Sequence, residues 1–148
     1  MKILLNSHGN IHQYEYSAFL MRMSLGIILL AHGLLKVFVF TIPGTVGYFE
    51  GLGLPAFIAY FTIIFEVFGG IAMIAGVFTR LIAVASIPIL LGATWAHFSN
   101  GWVFSAEGGG WEFPALLVVL AAAVAIQGAG KYAIDQIRLS NQPQKAHS

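Results

Sequence analysis

Four stretches of apolar residues, separated by more polar segments, set the pattern of this chain. Each is roughly the 20 residues that an α-helix needs to cross the hydrocarbon core of a bilayer. They cover approximately residues 18–40, 55–77, 80–98 and 113–133. The third stretch is short, and the fourth is interrupted by Gln127, Gly128, Gly130 and Lys131. The pattern predicts an all-α membrane protein, folded as a four-helix transmembrane bundle over residues 18–135.

The segments outside and between these stretches predict the topology. Residues 1–17 are polar and predict a flexible or interfacial lead-in, and residues 136–148 predict a flexible tail. Lys and Arg lie near the start of the first span, between the second and third, and after the fourth: Lys2, Arg22, Arg80, Lys131, Arg138 and Lys145. The connections at about 41–54 and 99–112 contain neither. The positive-inside rule then places both termini in the cytoplasm. We therefore expect a multi-pass protein of the bacterial cytoplasmic (inner) membrane.

Composition supports the membrane interpretation and removes several classes of function. Of the 148 residues, 58% are hydrophobic and 9% are charged, whereas about a quarter of a soluble domain is charged. The formal net charge is +1 and no basic cluster occurs, so nucleic acid is not an expected partner. The chain has no cysteine, which excludes disulfides, thiolate metal sites and thiol–disulfide relay chemistry. We predict no metal site.

Ionisable residues inside the predicted spans are the first candidates for chemistry. Charged groups at membrane depth are costly and usually mark a functional site. His32 and Lys36 lie one helical turn apart in the first span and therefore share a helix face. Lys36 alone could extend its amine outward to the headgroups. Glu66 lies near the predicted midplane and has no such route, so it should be protonated, paired, or exposed to a cavity.

Further polar and aromatic residues lie at the same predicted depth. The outward course of the third span places Trp95, His97 and Asn100 in its outer quarter, and Glu112 begins the fourth span at that level. The connection between them carries Trp102 and Trp111 with three consecutive glycines. It is either an aromatic belt at the headgroups or a lid whose glycines allow close approach. We expect a polar pocket in the extracytoplasmic half of the bundle.

Seven short segments, in order along residues 17–135, resemble the DoxX family of small bacterial four-helix membrane proteins. The segments are HGLLK (32–36), GLGLP (51–55), EVFGG (66–70), GVFTR (76–80), HFSNG (97–101), GWEFP (110–114) and GAGKY (128–132). The resemblance implies redox work near the quinone pool, since relatives include subunits of quinone-linked thiosulfate oxidation. Others are linked to detoxifying quinones and catechols and to oxidative stress.

Two functional hypotheses follow. In the first, the chain is the quinone-binding subunit of a membrane oxidoreductase. His32, Lys36 and His97 would donate hydrogen bonds to a quinone or a related small aromatic, Glu66 and Glu112 would relay protons, and Trp95, Asn100, Trp102 and Trp111 would contact the ligand. In the second, the chain is a non-catalytic scaffold that anchors or stabilises a partner oxidoreductase, and the polar cluster is a structural network.

The expected cofactor is therefore a quinone, and the expected partners are the bilayer and either a redox enzyme or further copies of this chain. Haem is not expected. His32 and His97 are the only candidate axial pair, and their predicted depths differ by about 7 Å. That offset suits one iron poorly.

Overall fold

The computed structural model describes residues 10–140, and every regular element in that part of the chain is helical. In chain order the helices are α1 (Ile11–Phe38), α2 (Ile42–Gly51), α3 (Ala56–Ala75), α4 (Thr79–Ala96), α5 (Glu112–Gln127) and α6 (Ile134–Ser140), with a 3₁₀ turn at Phe98–Asn100. Among the described residues, α1, α3 and α4 are long and apolar enough to cross a membrane. Helix α5 is apolar but has only 16 residues.

Helix α1 begins earlier than the apolar pattern predicts. Asn10 caps it: the Asn10 side chain accepts from the Gln13 N–H at 3.0 Å, and the Gln13 side chain accepts from the Asn10 N–H at 2.9 Å. This reciprocal capping box supports a helical start within polar sequence. Residues 11–17, expected to be a flexible or interfacial lead-in, are therefore helical. Residues 1–9 of that lead-in and 141–148 of the predicted tail lie outside the described residues.

The connection at 41–54, which carried no predicted helix, contains α2. Thr41 caps this helix by accepting a hydrogen bond from the Gly44 N–H at 3.3 Å, and Pro43 occupies its first turn. Proline is well tolerated there because the first N–H groups of a helix have no internal partner. Helix α2 packs against α1 and the first part of α3.

Helix α5 ends six residues before the predicted span does. Gly128 follows Gln127 with φ +89° and ψ −160°, a backbone conformation that stops the helix and that glycine adopts readily. The chain then runs back to the start of α1, where the Lys131 N–H donates to the Glu15 carbonyl at 3.1 Å. The interruption at Gln127 and Gly128 in the sequence is therefore a true helix end.

The helices pack as two pairs. Helix α1 runs along α3, α4 runs along α5, and α1 also contacts α5. Helix α4 meets α3 chiefly at the Gly70–Ala75 end. A buried core joins the pairs through Leu25, Leu29, Met73, Ala83, Leu90, Leu117, Ala121 and Val124. The α1–α3 contact is close: a Cβ added to Gly70 would lie 2.6 Å from the Leu30 nitrogen, as in membrane bundles that use small residues to bring backbones together.

Arg22 fastens the end of the bundle opposite the candidate site. Its side chain is fully buried. The guanidinium donates to the carbonyls of Met73 at 2.8 Å and Ile74 at 2.6 Å, which end α3. It also donates to the carbonyls of Ala129 at 2.7 Å and Lys131 at 3.2 Å. One side chain thus joins α1, the end of α3 and the segment that follows α5.

Candidate polar chamber

A chamber of about 250 Å³ lies within the bundle, between α1, α3, α4 and α5. Four predicted site residues line it: His32, Lys36, Glu66 and His97. Apolar residues of α1, α4 and α5 form most of the remaining wall, including Leu29, Leu90 and Leu117. The fold therefore brings the ionisable groups of three separate helices to one apolar cavity.

Lys36 and Glu66 form an ion pair in the wall of this chamber. The Lys36 Nζ lies 2.7 Å from Glu66 Oε2 and 3.0 Å from Oε1. The two side chains are 17% and 8% exposed, so solvent screens the pair little. The Lys36 amine thus points to Glu66. It has three N–H bonds, of which two serve Glu66.

A π-helical turn positions Glu66. Residues Phe65–Gly69 of α3 are wound as a π-helix, a rare form that commonly occurs at functional sites. Directly beside it, Gly33 of α1 packs so closely that an added Cβ would lie 2.9 Å from the Val67 nitrogen and 3.1 Å from the Glu66 Cβ. Since Lys36 follows Gly33 by three residues on α1, this contact also fixes the amine within reach of the carboxylate.

Three backbone carbonyl groups orient the two histidines. The His32 Nδ1 lies 2.9 Å from the Ile28 carbonyl oxygen, and the His97 Nδ1 lies 3.0 Å from the carbonyl oxygens of both Gly108 and Gly109. A carbonyl oxygen only accepts, so each Nδ1 carries the hydrogen. In the neutral rings Nε2 is then the free acceptor, and the protonated rings donate from Nε2. The His32 ring also stacks on Phe113 of α5, with centroids 6.2 Å apart.

The connection between α4 and α5 covers the chamber. Phe104, Gly109 and Gly110 from this connection line it. The Asn100 side chain holds the cover by donating to the carbonyls of Gly108 at 3.1 Å and Gly109 at 2.9 Å. A Cβ on Gly110 would clash with the Val103 carbonyl oxygen and lie 2.5 Å from that of Trp102. Only glycine therefore fits at position 110, where two segments of this loop pass close to each other.

The other predicted site residues lie around the cover and do not line the chamber. Glu112 accepts from the Phe104 N–H at 2.8 Å, so its carboxylate orders the loop. Trp102 and Trp111 meet edge to face at 4.5 Å, and Trp111 stacks on Phe98 at 5.5 Å. Trp95 is 56% exposed on α4. Asn100 acts through the loop, as described above.

Some lining residues carried no sequence signal strong enough to single them out. Phe104 and Phe113 are two of twelve phenylalanines, and aromatic residues are expected throughout a membrane protein. Phe113 does adjoin Glu112 and Pro114 in the segment 110–114, which was a usable indication. The glycines 108–110 were noted as a possible lid, but their pairing with His97 and Asn100 depends on loop geometry.

Comparison with known proteins gives a family. The DoxX family model matches residues 17–99. A protein of Bacillus subtilis (strain 168) named "Putative oxidoreductase CatD" is 36% identical over 80 residues, which are 54% of this chain and 58% of that protein. The match thus covers little more than half of either chain. No solved structure shows a significant match.

Proposed function

Since this chain belongs to the DoxX family of membrane proteins, we propose that it is a subunit of a quinone-linked redox system and binds the quinone ring in the polar chamber. The resemblance to a protein named as an oxidoreductase supports redox chemistry. The observation that carries the proposal is the convergence of Lys36, Glu66, His32 and His97 on one apolar cavity of about 250 Å³. A cavity of this size fits a single small ring.

The polar groups match the needs of a quinone. Reduction of a quinone to the hydroquinone takes two electrons and two protons, so the site must contact both ring oxygens and exchange protons with them. The remaining Lys36 N–H and a protonated Nε2 of either histidine donate to quinone carbonyls. A neutral Nε2 accepts from the hydroquinone O–H groups. Phe113 and Phe104 supply flat apolar surface for the ring. The electrons come from a partner enzyme or a soluble reductant.

We further propose that four helices cross a bacterial inner membrane, with the 10 and 140 ends on the cytoplasmic side. Arg22, Arg80 and Lys131 lie at one end of the bundle, where Arg80 donates to the Ile126 carbonyl at 3.4 Å. Lys36 lies at the other end and is neutralised by Glu66. This distribution follows the positive-inside rule. In the proposed topology the chamber lies in the extracytoplasmic half.

Binding of tail-free quinones tests the proposal. Purified protein in detergent is titrated with 2,3-dimethoxy-5-methyl-1,4-benzoquinone and with 2-methyl-1,4-naphthoquinone by calorimetry. We expect His32→Ala to weaken binding by about tenfold, equivalent to about 1.4 kcal/mol, because it removes a hydrogen-bonding ring and the Phe113 stack. His12→Ala is the matched control, since the His12 side chain is 72% exposed at the start of α1. No binding by the wild type, or equal loss in both variants, contradicts the proposal.

A scaffold function is the alternative that one observation favours. Both oxygens of Glu66 are bound by Lys36, as in a closed structural network. Replacing both residues with apolar ones separates the two functions. A Lys36→Met, Glu66→Leu double variant that folds and loses quinone affinity assigns the pair to the binding site, whereas one that folds with unchanged affinity assigns the pair to a structural network.

A further inference from the structure

A second cavity adjoins the polar chamber, toward the side of the bundle. It has a volume of about 510 Å³ and lies between α3 and α4, and residues of α2 also line it. Four residues line both cavities: Lys36, Glu66, Ala93 and His97. The two cavities therefore share a wall at the ion pair.

The cleft is open because two helices diverge. Helix α4 contacts α3 chiefly at the Gly70–Ala75 end and separates from its first part. Several of the α4 residues that line the cleft have short side chains or are proline, which leaves space on this side of it. They are Ala85, Pro88, Gly92 and Ala96. Nothing lies within 4 Å of a Cβ added to Gly92, so empty space begins at the backbone of this helix.

The walls and mouth of the cleft are apolar. Phe61 of α3 lines it and is 59% exposed, and its neighbours Phe57 and Ile64 are 68% and 57% exposed. Helices α3 and α4 are both apolar enough to span a membrane, so the mouth between them faces lipid. Water-soluble ligands gain nothing from such an entrance.

From this adjacency we propose that the ligand is a lipid quinone, whose ring occupies the chamber and whose prenyl tail leaves between α3 and α4. The inference rests on the proposed function and specifies its substrate class. The sizes agree with it: about 250 Å³ in the chamber suits a ring, while a long-tailed ligand needs the roughly 300–1,000 Å³ of ordinary ligand pockets. The tail stays in apolar surroundings throughout, because lipid tails and the cleft wall are similarly apolar.

The charge at the deep end of the cleft argues against a phospholipid as the occupant. A phosphate headgroup needs an available cation. Lys36 is the one Lys or Arg residue that lines the cleft, and both oxygens of Glu66 already bind it. An uncharged quinone ring with two carbonyl oxygens suits this neutral pair better than an anion does.

Blocking the cleft tests the inference. Gly92→Trp places an indole where the structure has open space, and Leu91→Trp adds the same group at the next position, which does not line the cleft. The probes are a benzoquinone with a two-unit prenyl chain and the same ring with a methyl group, titrated into purified protein. We expect Gly92→Trp to weaken binding of the prenylated probe by about tenfold or more. Binding of the methyl probe should change by less than about twofold, and Leu91→Trp should change neither.

The outcomes separate the two proposals. A wild type that binds neither probe contradicts the proposed function. A wild type that binds both equally, or a Gly92→Trp variant that changes both probes alike, overturns only the tail passage. Loss of co-purifying phospholipid from Gly92→Trp, with unchanged affinity for the prenylated probe, also overturns it and assigns the cleft to an acyl chain. Gly92→Leu provides a smaller block if the tryptophan variant does not fold.

Discussion

Lys36 and Glu66 are joined across two helices and are too deeply buried for either charge to be stable alone. Removing water from both groups is costly, and their attraction returns that cost only when the geometry is good. The two short contacts, at 2.7 and 3.0 Å, meet that condition. Replacing one partner should therefore destabilise the protein much more than replacing both.

We expect Lys36→Met to lower the free energy of unfolding by about 3–5 kcal/mol, because it leaves a buried carboxylate without its partner. The Lys36→Met, Glu66→Leu double variant should recover most of that loss. Thermal unfolding in one detergent, followed by circular dichroism, compares the three proteins. A double variant no more stable than the single one would show that the pair itself holds the bundle together.

Arg22 should be equally intolerant of change. Its guanidinium serves four carbonyl oxygens from a fully buried position. Arg22→Lys keeps the charge but lacks the planar fork that reaches several acceptors at once. We expect Arg22→Lys to destabilise the protein by about 2 kcal/mol or more through unpaired buried carbonyls. Arg80→Lys is the control, since the Arg80 guanidinium makes an exposed 3.4 Å contact, and its melting temperature should stay close to that of the wild type.

At the residue level the sequence identified the ionisable groups of the chamber but not their partners. The cost of charge in lipid singled out His32, Lys36 and Glu66 without any structure. The same rule predicted only that Arg22 lies near the cytoplasmic end of the first span. A Lys or Arg close to a span boundary ordinarily reaches the headgroups. The carbonyl partners of Arg22 lie more than 50 residues away along the chain and leave no local signal.

At the scale of helices, the α1–α3 contact sets which groups meet. Counting residues along the predicted spans placed Glu66 near the midplane but did not predict which residues of α1 lie beside it. In the structure Gly33 packs beside Val67, so about 11 residues of α3 but only five of α1 extend beyond the contact on that side. The relative register of two helices depends on such close contacts and not on composition.

Gly33→Ala tests this register. The added Cβ would lie 2.7 Å from the Val67 Cγ2 and 2.9 Å from the Val67 nitrogen, which forces the helices apart. We expect a loss of about 1–3 kcal/mol in stability, together with weaker quinone binding, because Lys36 and Glu66 separate. Gly92→Ala meets open space and should leave stability unchanged or raise it by up to about 1 kcal/mol, the difference in helix propensity. Equal melting temperatures for both variants would contradict the register argument.

Two features of the helices lay beyond what the sequence could show. The π turn at Phe65–Gly69 has no sequence signature, since it depends on how α3 packs against its neighbours. Helix α2 did have signals, Thr41 as a cap and Pro43 in the first turn. Three glycines in the same segment made these signals hard to recognise, because glycine is a poor helix former. They are Gly44, Gly47 and Gly51.

At the scale of the whole molecule, the lack of cysteine makes topology directly measurable. Single-cysteine variants Ser105→Cys, in the cover of the chamber, and Gln136→Cys, in α6, lie at opposite ends of the bundle. We expect a membrane-impermeant maleimide to label Ser105→Cys in intact cells and to label Gln136→Cys only after the membrane is opened. The reverse pattern would put the chamber on the cytoplasmic side.

The family and the helical architecture could be predicted from apolar segments and ordered motifs, because both are written along the chain. The pairing of α1 with α3 and of α4 with α5 could not, since four apolar helices allow several arrangements with similar burial. The lateral cleft follows from that pairing. It therefore appears only at the level of the assembled bundle.

The hydrogen bonds of Arg22 join parts of the chain that are synthesised at different times. The acceptor at Ala129 lies 107 residues further along the chain. At about 5–20 residues per second, the ribosome needs roughly 5–20 s to make that distance. During this interval the first inserted helix carries a guanidinium with no carbonyl from the last segment to bind. A chain that ends before residue 129 therefore lacks two of the four acceptors of this buried guanidinium.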